Sequence, residues 1–144
     1  MFPAPSDRLA STNSRSRSES VYPRTMRAMY GHVKAEITRV TKTAEGTDLE
    51  VTIRIDPSWH VNGHRPLSDA LVPTRIEGDG GAAFEVHYPS AKEVVLGFAG
   101  GPVAVYEGTV TLGVRAAGGG AVTLSLQACS DRVCLLPESV RLFR

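Results

Sequence analysis

"VAVYEGTVTLGVRAAGGGAVTLSLQA", Val103 to Ala128, decides the fold. Apolar or β-branched residues recur at every second position in "VAVYEGTVTLGV" and again in "AVTLSLQA", and a Gly-rich turn separates the two runs. A period of two puts one row of side chains on a buried face and the other toward solvent, which is the pattern of a half-buried strand. The same alternation appears in "HVKAEITRV", "DLEVTIRI", "AFEVHY" and "SVRLF". Turn signals at "TAEGTD", "EGDGGA", "AGGP" and "AAGGGA" punctuate these runs at the spacing of an all-β sandwich or barrel. No window sustains a helical stripe. The expected fold is an all-β, immunoglobulin-like sandwich over residues 30–144, preceded by a disordered tail over 1–29.

The tail reading rests on "MFPAPSDRLASTNSRSRSESVYPRT", rich in Ser, Arg and Pro and lacking any apolar period. Its Ser-Arg pairs carry no interleaved aromatics, so a solvated linker is expected there and not an RNA-binding segment. The 144 residues suit one domain, and the formal net charge is only +1. The tail is positive and the remainder slightly acidic, which leaves no basic field for nucleic acid. No apolar run of about 18 residues could span a bilayer, and no apolar segment near Met1 reads as a signal peptide. Direct membrane insertion by this chain is therefore not expected.

One connection departs from the regular pattern. "DPSWHVNGHRPLSDALVPT", Asp56 to Thr74, holds the single Trp, two His and three Pro. Its prolines argue against a central strand. Trp59 there is expected either to plug one end of the core or to border a site.

Both cysteines lie in "LQACSDRVCLLPES", Leu126 to Ser139. Three readings stand side by side: a structural staple, half of a metal site, or an exchange pair. As a staple, a loop of about six residues removes little freedom from the unfolded chain, roughly 2 kcal/mol. As a metal site, Cys129 and Cys134 with His60 and His64 form a Cys2His2 set, although the His pair lies in an irregular loop and the Cys spacing reaches the edge of the zinc range. As an exchange pair, access to sulfur controls the rate. Alternation through "AVTLSLQAC" places Val122, Leu124, Leu126 and Ala128 on one face and Cys129 on the other, which predicts a reachable Cys129 sulfur at a strand end. Arg132 favours a thiolate and Asp131 opposes it.

The order "DPSWHVN", "VPTRIE", "VHYPSAKE", "GFAGGPVAVYEGTVTLGV" and "LQACSDRVCLLPE" resembles the N-terminal periplasmic domain of DsbD-type thiol:disulfide interchange proteins. The similarity runs from about Met29 to the C-terminus, and its most specific part is Gln127-x-Cys129-x-Asp131-x2-Cys134-x2-Pro137-Glu138. The resemblance implies an immunoglobulin-like component of a protein-disulfide reductase, without cofactor or metal, in which Cys129 and Cys134 cycle between dithiol and disulfide. It implies thioredoxin-fold partners, a role in cytochrome c biogenesis, a membrane-embedded electron donor domain and a periplasmic or otherwise extracytoplasmic setting. By position, Phe98 resembles the family's cap aromatic, with Gly97, Gly100 and Gly101 available to hinge the cap loop. Trp59, His60 and Asn62 are expected to border the sulfurs, with Tyr106 as a further neighbour. Where some members carry acidic residues before the cap aromatic, this chain has Leu96 and Gly97. The competing class is a non-catalytic immunoglobulin-like interaction module whose disulfide braces a hairpin.

Overall fold

The computed structural model describes residues 31–78, 84–97, 100–116 and 122–142. The expected tail over 1–29 and the expected cap residue Phe98 lie outside the described residues. Within them the chain forms strands and turns only, and no helix is long and apolar enough to cross a membrane.

The first sheet joins β1 (Val33–Thr43), β2 (Gly46–Ile55), β8 (Thr109–Ala116) and β5 (Phe84–His87), in the order β1-β2-β8-β5. A second sheet has the order β10-β3-β7-β6, built from β3 (His60–Asn62), β6 (Lys92–Val95), β7 (Pro102–Tyr106) and β10 (Ala128–Cys129). The third, β11-β9-β4, uses β4 (Arg75–Gly78), β9 (Val122–Leu126) and β11 (Glu138–Leu142). Every ladder is antiparallel. Alternation builds the core as expected: Leu49, Val51 and Ile53 of β2 and Leu112 and Val114 of β8 meet Leu124 and Leu126 of β9. Val61 of β3, Ile76 of β4 and Tyr106 of β7 join the same cluster, so all three sheets share one core in an immunoglobulin-like sandwich.

Three expectations need correction. "VAVYEGTVTLGV" is not one strand: Glu107-Gly108 ends β7 before β8 starts, and Gly108 turns the chain at φ 68°. Residues 56–74 do contain a central strand, because β3 lies between β10 and β7. It fits because its prolines, Pro57, Pro66 and Pro73, all fall outside the three paired residues, so no ladder N–H is lost. Cys129, expected on the polar side, is fully buried, as is Ala128 before it. The alternation that placed it stops at Gln127, where the chain leaves the third sheet after β9 and enters the second as β10.

Leu124 has no exposed surface and touches the shared core. Leu124→Ala is expected to lower unfolding free energy by about 2–5 kcal/mol, through lost apolar burial and the cavity left behind. Urea unfolding followed by Trp59 fluorescence measures it.

Candidate functional site

The cysteine pair is disulfide-bonded and sits across a hairpin that the backbone closes by itself. Cys129 and Cys134 face each other in an isolated antiparallel bridge, with Cα atoms 4.0 Å apart. On one side the Ser130 N–H donates to the Val133 carbonyl at 2.8 Å, and on the other the Leu135 N–H donates to the Ala128 carbonyl at 2.9 Å. The cysteines thus occupy the non-hydrogen-bonded pair of the ladder, where facing side chains approach most closely. Ser130 tightens the loop, its hydroxyl oxygen accepting from the N–H groups of Arg132 (3.1 Å) and Val133 (3.2 Å).

The two sulfur-bearing residues differ in access. Cys129 is buried and Cys134 only half-buried. Around Cys134, Leu135 packs on the core, while Val133 is 50% and Leu136 76% exposed. Two apolar side chains thus stand in solvent on either side of the more accessible cysteine.

Gln127 anchors this hairpin to the rest of the domain. Its Oε1 accepts from Asn62 Nδ2 (2.9 Å) and from the Val72 N–H (3.1 Å), and its Nε2 donates to the Leu135 carbonyl (3.2 Å). The Asn62 amide also donates to the Val72 carbonyl at 2.8 Å. One glutamine therefore links β3, the end of the Asp56–Thr74 connection and the segment leaving Cys134. The spacing of Gln127 two residues before Cys129 was visible in the sequence, but this linking role was not.

The expected border residues separate into two groups. His60 is directly opposite Cys129 in the β3–β10 register. Val61 and Ala128, the next pair along, enter the core, so His60 and Cys129 share the opposite face. His60 is 5% exposed, and its Nε2 is buried without a hydrogen-bond partner. Burial lowers its pKa below the ordinary 6.5, partly offset by the negative charge of Glu107. Trp59 is half-buried, packs against the core and stacks on His32 at 3.9 Å, so it serves the packing role. It is aimed by a turn in which its N–H donates to the Asp56 carbonyl at 3.1 Å, with Pro57 and then Ser58, at φ 70°, in the middle. Trp59 and His60 line a cleft of about 740 Å³ with Val94, Leu96, Glu107 and Asp131, which opens beside the cysteine loop.

Asn62 and Tyr106 hold the framework behind that cleft. Asn62 is buried in the Gln127 network, and the Tyr106 hydroxyl donates to the Pro89 carbonyl at 3.0 Å while accepting from the His64 N–H at 3.4 Å. Burial raises the Tyr106 pKa, which keeps this hydroxyl a donor. His64 stacks on Tyr88 at 3.7 Å and its Nδ1 is 3.1 Å from the Thr74 carbonyl. Among the described residues no group of three or more His, Cys, Asp or Glu side chains comes together to hold a metal ion.

These features define an immunoglobulin-like domain with a short, partly accessible disulfide on a preformed hairpin. The family model described as "Thiol:disulfide interchange protein DsbD, N-terminal" matches residues 32–143, and the chain belongs to that family. The N-terminal periplasmic domain of ScsB from Proteus mirabilis is similar in structure, with a TM-score of 0.61 and 19% identity over 82% of this chain and 49% of that one. The chain thus spans about half the length of the ScsB structure. The Neisseria meningitidis DsbD N-terminal domain in its reduced form has a TM-score of 0.50 and 16% identity over 78% of this chain and 82% of that one. At these identities the likeness speaks for the fold. No curated protein matches the chain.

Two measurements check the site. Gln127→Leu leaves the Val72 N–H and the Leu135 carbonyl without their side-chain partner, and is expected to cost about 3 kcal/mol in chemical denaturation. A His60 whose pKa is lowered by folding makes the unfolded chain bind more protons, so stability falls as pH drops below about 6.5 and levels off below the folded pKa. His60→Gln should flatten that part of the stability–pH curve.

Proposed function

We propose that this domain passes reducing equivalents through the Cys129/Cys134 pair to oxidised thioredoxin-fold proteins in an extracytoplasmic compartment. The carrying observation is a disulfide set across a hairpin that two backbone hydrogen bonds already close. Such a bond opens without freeing the chain it joins, which suits a reversible pair better than a brace. Family membership supports the exchange chemistry, and the periplasmic source of the ScsB domain supports the compartment.

In this reading the dithiol form attacks first through Cys134, the half-buried member of the pair. Its thiolate forms a bond to one sulfur of the partner disulfide, and the other partner sulfur leaves as a thiolate. Cys129 then attacks Cys134 Sγ, the mixed disulfide breaks, and the electron pair goes to the partner's remaining sulfur. The partner ends reduced and this domain oxidised. A membrane-embedded dithiol donor returns the pair to its reduced form, and cytochrome c maturation thioredoxins and disulfide isomerases are the acceptors the family suggests. Val133 and Leu136 supply an apolar rim for the docking partner. Phe98 takes the role of the family's cap aromatic by its place in the sequence, and the cleft beside Trp59 and Leu96 is the space a partner side chain fills.

Cys129→Ser separates exchange from bracing. The expected outcome is a mixed disulfide between Cys134 and an oxidised thioredoxin-fold protein, stable to non-reducing gel electrophoresis and absent in Cys134→Ser. Failure of reduced Cys129→Ser to trap any such partner would favour the bracing module. Replacing both cysteines by Ala should cost only roughly 2 kcal/mol in unfolding free energy, as a short loop closed independently by the backbone predicts.

A further inference from the structure

A buried cysteine must lose its proton before it can attack. A free thiol has a pKa of about 8.5, so only a few per cent is thiolate at neutral pH, and burial lowers that fraction further. Cys129, the resolving sulfur in the proposed function, is fully buried. Solvent cannot serve it freely, so a neighbouring group has to take the proton.

The acidic side chains around the cleft are poorly suited to that task. Asp131, in the cysteine loop, is 83% exposed and lies 4.0 Å from Arg132. Glu107 is 46% exposed and paired with Lys92 at 3.3 Å, and Asp56 is 55% exposed beside His32 at 3.4 Å. All three are solvated carboxylates with cationic or imidazole neighbours. Three buried side-chain atoms among the described residues lack a partner: His60 Nε2, Asn62 Oδ1 and Glu138 Oε1. An amide oxygen is no base at neutral pH, and Glu138 is paired with Leu126 in the third sheet. His60 alone of the three stands directly opposite a cysteine and lines the cleft.

We propose that His60 is the proton acceptor for Cys129 in the resolving step, resting on the exchange function proposed above. Facing residues of an antiparallel pair hold their Cβ atoms about 4.5–5.5 Å apart, within reach of an imidazole and a thiol on the same face. With its proton on Nδ1, the ring presents a lone pair at Nε2. The Cys129 S–H proton passes to Nε2, the thiolate attacks Cys134 Sγ, and the Cys134–partner bond breaks. The partner sulfur leaves with the electron pair, and the imidazolium returns its proton to that thiolate or to water. The same burial that keeps the ring neutral keeps it in the accepting form, while Glu107 stabilises the transient imidazolium. In the disulfide form Cys129 has no proton to give, which fits a nitrogen without a partner in that state.

The test uses the full reduced chain and oxidised glutathione, with acid quenching and mass spectrometry to follow the glutathionylated intermediate from about pH 5 to about pH 9. His60→Gln should leave formation of the Cys134–glutathione adduct within about twofold of wild type and prolong its lifetime at neutral pH tenfold or more. The difference should shrink as rising pH ionises Cys129 directly. Equal lifetimes and equal pH profiles would overturn the role of His60 while leaving exchange intact. A reduced wild-type chain that forms no adduct would overturn both. In the unaltered protein, NMR titration of the His60 ring should move between the dithiol and disulfide forms, and a titration indifferent to the redox state would also overturn the proposal.

Discussion

The site depends on the hydrogen bonds of one side chain. Gln127 sits where the chain crosses from the third sheet to the second, and its amide group ties β3, Val72 and Leu135 together. Each of those contacts fixes one wall of the cysteine hairpin. Asn62 belongs to the strand that faces Cys129, Val72 ties in the end of the long connection, and Leu135 aligns the chain leaving Cys134. A partly buried polar network of this kind is costly if one member is lost and specifies a single arrangement when complete.

From that constraint follows the asymmetry of the pair. Because β10 is paired to a central strand, Cys129 is held inside the sheet, while Cys134 reaches the surface between Val133 and Leu136. One cysteine is thus presented and the other kept back, the asymmetry on which the proposed roles of attack and resolution rest. The backbone hydrogen bonds at Ser130 and Leu135 keep the two cysteines opposed, so the shape of the hairpin does not rest on the covalent bond alone.

Much of this architecture is legible in the alternation of β2, β8 and β9, which bury one face, and of β1 and β11, which reach the core at Val33, Ala35 and Leu142. The short strands are not, for separate reasons. Three residues of β3 carry no period of their own and lie among prolines, and β6, "KEVV", leaves Val95 in solvent. Alternation misplaces Cys129 because a period of two holds only within one sheet, and the chain changes sheets at Gln127. The site reads in a similarly divided way. Its cysteines and the Trp59-His60 pair stand out by residue type, whereas the cross-strand partnership of His60 with Cys129 and the linking role of Gln127 arise from register, which a single sequence does not display.

The central claim is that a bond seated on a self-closed hairpin is free to open in the native state. Its most direct test is thiol counting on the folded protein across graded reduced and oxidised glutathione, with circular dichroism recorded on the same samples. The account predicts that both thiols of Cys129 and Cys134 appear together, reversibly, while the β-sheet signal stays constant. A bond that stays closed until the domain unfolds would contradict it.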